Sequence, residues 1–69
     1  MTRTKSLGEV VQEERTWQLW TQAGLAKRAK VSQSLIENIE RGAIATLRPL
    51  TAQKIGQALG VDLTRWVKR

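Results

Sequence analysis

Cysteine and histidine are both missing from this 69-residue chain. No disulfide can form, and the usual zinc and haem ligand sets cannot be built. Catalysis loses its commonest acid–base and nucleophilic groups as well, leaving only Asp, Glu, Lys and Ser side chains for such work. The five glycines, at 8, 24, 42, 56 and 60, stand singly, so no glycine-rich loop can cradle a phosphate. Long apolar runs are absent too; nothing approaches the roughly 18 apolar residues that a spanning helix needs. The opening MTRTKSLGEV carries charge with no apolar stretch behind it, which argues against a secretory signal. These absences point away from an enzyme, a metalloprotein and a membrane protein. No cofactor and no small-molecule ligand is indicated, and the expected location is the cytoplasm.

What is there is small and basic. A chain of this length buries only about 60% of the surface it exposes when unfolded. With no disulfide or metal to staple it, stability must come from close helix packing, association, or both. The net charge of +6 and a sequence pI near 10.9 suit a polyanionic partner. Charge of this size also fits a protein that is merely soluble and basic, so the pattern along the chain has to decide.

Helical periodicity dominates that pattern, and no stretch alternates as a strand would. Ser6 and Glu9 form a capping box that opens a first helix, with Leu7, Val10 and Val11 in one stripe and an end near Arg15 or Trp17. Thr21 caps a second helix carrying Leu25, Ala26 and Ala29. Ser32 caps a third, with Leu35, Ile36 and Ile39 at helical spacing and Gly42 as its stop. Beyond a loop containing Pro49, a fourth helix covers residues 50–59 with Ile55, Ala58 and Leu59 inward, and Gly60 ends it. Asp62 then caps a last short turn holding Leu63, Trp66 and Val67. The expected fold is an all-α, compact five-helix bundle. Residues 6–69 form one domain, and residues 1–5 a flexible basic arm.

The second helix must end near Ala29 and the third must begin at Ser32. So short a link makes their axes cross steeply, as in a helix-turn-helix. Leu25, Ala26 and Ala29 then face Val31, Ile36 and Ile39. Ala26 matters most, because a larger side chain there would overpack the crossing.

From Thr21 to Gly42 the chain reads TQAGLAKRAKVSQSLIENIERG. That stretch resembles the phage-repressor/Cro-type (lambda-repressor-like, XRE) helix-turn-helix family of bacterial and phage regulators. The resemblance covers roughly residues 7–67, taking in Arg15 before the motif and ALGV at 58–61 after it. It implies a lambda-repressor-like DNA-binding domain whose third helix enters the major groove of double-stranded DNA. Gln33, Ser34, Leu35, Glu37 and Asn38 would then lie nearest the bases. Gln and Asn can pair adenine bidentately, Ser can approach any base, and Leu35 can press on a thymine methyl. Gln22, at the start of the second helix, would bond a backbone phosphate with help from the helix N-terminus. Arg41 and Ser32 are further phosphate candidates. Lys27, Arg28 and Lys30 flank the face, with Arg48 and Lys54 beside it, and together they would supply salt-dependent affinity. Arg15 and Glu40 match the family's buried ion pair.

The resemblance further implies a homodimer on a palindromic operator, since one small domain reads too few base pairs to be selective. Leu63, Trp66 and Val67 are the expected dimer contact, with the loop at Ile44 to Leu47 as the other candidate. Repression is the expected action. The alternative reading is an antitoxin-like or adaptor module working through its Trp-rich surface, and a non-specific nucleoid-type binder is a third.

Four features depart from the family pattern. Lys30 occupies a turn position where relatives carry Gly; a positive φ there would cost Lys about 1 kcal/mol. Glu14 stands where an apolar residue is usual, so either the first helix is rotated or the carboxylate reaches an arginine or solvent at the rim. Trp17 and Trp20, in WQLW, are expected to cap the core. Gly24 lies inside the second helix, where close approach of the Trp side chains is one reason for it.

Overall fold

A computed structural model describes residues 5–68. The arm expected at residues 1–5 lies outside the described residues except for Lys5, which bonds the Glu13 carboxylate, and Arg69 is outside them as well. Four α-helices follow one another: α1 (Leu7–Trp17), α2 (Gln22–Ala29), α3 (Gln33–Glu40) and α4 (Pro49–Leu59). Among the described residues there is no strand, only a single bridge pair between Leu47 and Val67. No described helix is long and apolar enough to cross a membrane.

The described residues therefore hold four α-helices, where the sequence suggested five. The expected fifth is a three-residue 3-10 turn, Thr64–Trp66. The N-cap of this turn is Leu63, not the expected Asp62; Asp62 accepts from the Thr64 N–H at 2.9 Å just ahead of it, and the bond from Thr64 holds the carboxyl below its ordinary range. The turn cannot lengthen because its backbone is used elsewhere. The Trp66 carbonyl accepts from the Leu47 N–H at 2.8 Å, and the Lys68 N–H donates back to the Leu47 carbonyl at 2.7 Å. Pro49 is the first residue of α4 instead of a loop residue, a place where its missing N–H costs nothing.

Leu7, Val11, Leu25, Ile36, Ile39 and Ile55 are fully buried and make the centre of the core. The small residues Ala26 and Ala29 let α2 lie close against α3. The Ser6–Glu9 capping box opens α1, each partner accepting the other's backbone N–H at 3.1–3.2 Å. Leu7 and Val11 point inward from α1, and Glu14 is half-buried at its rim. The same stripe leaves Trp17 outside. It is 84% exposed, so it does not cap the core; of the two tryptophans in WQLW only Trp20 packs against the core.

Both α1 and α2 end in the same way. Leu19 (φ 63) and Lys30 (φ 59) adopt the left-handed conformation, although neither is glycine. Beyond each, a paired backbone closure forms: Trp20 N–H to the Arg15 carbonyl at 3.1 Å, and Val31 N–H to the Ala26 carbonyl at 3.0 Å. Lys30→Gly is therefore expected to stabilise the fold by about 1 kcal/mol, read as a higher urea midpoint at unchanged slope.

Candidate nucleic-acid interface

Two capping bonds set the starts of the helices around the site. Thr21 Oγ1 accepts from the Gly24 N–H at 2.9 Å and fixes the start of α2. Ser32 Oγ accepts from the Leu35 N–H at 3.1 Å and fixes the start of α3. The Thr21 hydroxyl is also the nearest atom, at 3.3 Å, to a Cβ placed on Gly24, with the Trp20 side chain farther off at 3.8 Å. The cap, more than tryptophan bulk, shapes that position.

Behind the site lies one ion pair. Arg15 donates through Nε and Nη2 to the two carboxylate oxygens of Glu40, at 2.7 and 2.9 Å. Its third arm, Nη1, donates to the Trp20 carbonyl at 2.7 Å. The side chains are only 15% and 6% exposed, so this is a mostly desolvated, bidentate pair. The Glu40 hydrogen bond raises the guanidinium pKa further, and Arg15 stays charged at any accessible pH. Gln22 joins the cluster by donating from Nε2 to Glu40 Oε1 at 3.2 Å. One carboxylate thus ties together the end of α1, the start of α2 and the end of α3.

In front of this brace, α3 turns Ile36 and Ile39 into the core and Leu35 partly so. Gln33, Ser34 and Glu37 are exposed and Asn38 is half-buried, forming a polar outward strip. Gln33 Nε2 donates to Glu37 Oε2 at 3.1 Å, and Arg41 Nε donates to Asn38 Oδ1 at 2.9 Å. Lys27, Arg28 and Lys30 are exposed on and just beyond α2. Arg28 stacks over the Trp20 ring, 4.3 Å from its centroid, which limits how freely it swings. Arg48 is exposed at the backbone cap of α4, and among the described residues no hydrogen bond ties it to α3.

The expected dimer contact needs correcting in part. Leu63 is 2% exposed and belongs to the core of the protomer, since the Gly56–Val61 closure brings it onto α4. Trp66 and Val67 are half-buried and keep outward surface. Leu47 is buried in the same way, which leaves Ile44 as the half-exposed apolar side chain of the other candidate loop.

Sequence reasoning missed Gly8. A Cβ on it would meet the Ile39 carbonyl at 2.5 Å and the Glu40 carbonyl at 3.0 Å, so α1 crosses the end of α3 at backbone contact. It also missed the bonds from Gln33 to Glu37 and from Arg41 to Asn38. Their four- and three-residue spacings on one helix were the available signal.

The Helix-turn-helix family model matches residues 11–66, which include all of α2, α3 and α4. No curated protein matches the chain. With the motif matched across most of its length, and with a braced pair of helices presenting a polar strip, the chain belongs to the Cro/C1-type helix-turn-helix family of DNA-binding transcription regulators.

Proposed function

We propose that this protein is a sequence-specific regulator that reads double-stranded DNA with α3 and represses transcription as a homodimer on a palindromic operator. The carrying observation is the strip Gln33, Ser34, Glu37 and Asn38: hydrogen-bonding side chains with no part in the apolar core, on the helix that Glu40 braces from behind. Leu35 sits at the strip's apolar edge, suited to a thymine methyl. Gln22 spends one amide hydrogen on Glu40 and keeps the other for a phosphate oxygen at the start of α2. The Ser32 hydroxyl accepts from its own helix and retains its proton to donate. Lys27, Arg28, Lys30, Arg41 and Arg48 add positive charge, and Trp66 and Val67 are the remaining candidates for a dimer seam. Residues 6–69 act as one domain with a basic arm at 1–5, and the cytoplasm is the proposed compartment.

The test is competition binding at about 0.15 M salt between a selected duplex and random competitor. The intact protein should prefer one sequence, and Gln33→Ala should cost about 1–3 kcal/mol of that discrimination while keeping the salt slope. Equal binding to every duplex would leave only a non-specific binder.

One observation favours the adaptor reading. Trp17 and Leu19 are 84% and 91% exposed, two large apolar side chains that the fold does not use. A protein partner captured by the intact chain and lost on Trp17→Ala, with Gln33→Ala silent in DNA binding, would make that surface the working one.

A further inference from the structure

We propose that Glu37 and Arg41 set the hydrogen-bonding polarity of α3, so that one edge of the helix offers acceptors to the bases and the other edge offers donors. The inference rests on the proposed reading of DNA by this helix. Its basis is the pair of side-chain bonds already described. A carboxylate can only accept and a guanidinium can only donate, so each partner dictates which way its neighbouring amide faces. Gln33 must turn its NH2 to Glu37 and is left with a free carbonyl and one N–H. Asn38 must turn its carbonyl to Arg41, which leaves it the NH2 and one lone pair on that carbonyl.

Helical periodicity puts Gln33 and Glu37 on one side of the outward strip and Asn38 on the other, with Ser34 between them. Arg41, at the C-cap, lies over the Asn38 side. The Gln33–Glu37 edge therefore presents the Gln33 carbonyl and a carboxylate, which suit an exocyclic amine: N6 of adenine or N4 of cytosine. The Asn38–Arg41 edge presents mainly donors, the Asn38 NH2 and the remaining guanidinium N–H groups. With its carbonyl turned along the helix to Arg41, Asn38 keeps one lone pair there but is held out of the rotamer in which a free asparagine pairs adenine bidentately. It donates instead to O6 or N7 of guanine or to O4 of thymine. On the strand each edge faces, the operator half-site should carry an amine base beneath Gln33 and Glu37 and a keto base beneath Asn38 and Arg41.

Two substitutions at exposed positions test this in duplexes selected from a random pool, with helical circular dichroism as the check on folding. Glu37→Ala should lower the preference for an amine over a keto base at its position by about fivefold or more, the low end for one good base contact. Arg41→Ala should release the Asn38 carbonyl and move the preference at that position from keto bases towards adenine. Either variant keeping the wild-type ranking of bases overturns the inference while leaving sequence-specific binding intact. A wild-type protein that selects no sequence at all overturns both.

Discussion

Glu40→Ala is expected to lower the unfolding free energy by about 3–5 kcal/mol, the cost of stranding one partner of a buried ion pair. The deletion strands more than Arg15. It removes the acceptor for two arms of the guanidinium and for the Gln22 amide, in a place where Arg15 is only 15% exposed and cannot easily recover its hydration. A domain of this size holds only about 3–10 kcal/mol in total, so much of the population should unfold. Urea titration followed by helical ellipticity measures it. The paired change Arg15→Met with Glu40→Leu should recover a large part of the loss, because two well-packed apolar side chains replace a buried pair at little cost. A Glu40→Ala variant within 0.5 kcal/mol of wild type would mean that water reaches the pair and that the brace behind α3 is not structural.

The second large effect is one of sign. Helix propensity alone says that Gly8→Ala in α1 should stabilise by about 1 kcal/mol. The structure says the reverse. The added methyl would sit 2.5 Å from the Ile39 carbonyl and 3.0 Å from that of Glu40, both backbone atoms that cannot swing aside. Overpacking of this kind costs about 1–3 kcal/mol. It should also push α1 off the end of α3, lengthening the Arg15–Glu40 bonds. Gly24→Ala is the control: its nearest neighbour is a side-chain hydroxyl at 3.3 Å, so the change should be close to neutral. Thermal or urea unfolding of the two variants separates the accounts, since propensity predicts the same gain for both.

The contrast between these glycines indicates how much could be read from the sequence. Local features were legible: the Ser6–Glu9 box, the caps at Thr21 and Ser32, and the apolar spacing of Ile36 and Ile39 depend on residues within one turn. The need for glycine at position 8 depends on where the end of α3 lies, and no neighbour in the sequence records that. Trp17 was misjudged for a related reason. Its bulk suggested burial, but the period that buries Leu7 and Val11 directs residue 17 outward. The last turn failed to become a helix because Leu47, far away in the chain, takes its backbone bonds. At the site, the residue types at 33 to 38 pointed to base reading, whereas the pairing of Gln33 with Glu37 and of Asn38 with Arg41 is a matter of side-chain conformation.

The central claim is that α3 meets the nucleobases and that the rest of the chain exists to hold it there. The most direct measurement is a set of intermolecular nuclear Overhauser contacts in the complex with a selected duplex. The account predicts cross-peaks from the Gln33 and Asn38 side-chain amides to major-groove base protons and thymine methyls. Cross-peaks confined to Trp17 and the α1–α2 turn, with α3 silent, would contradict it.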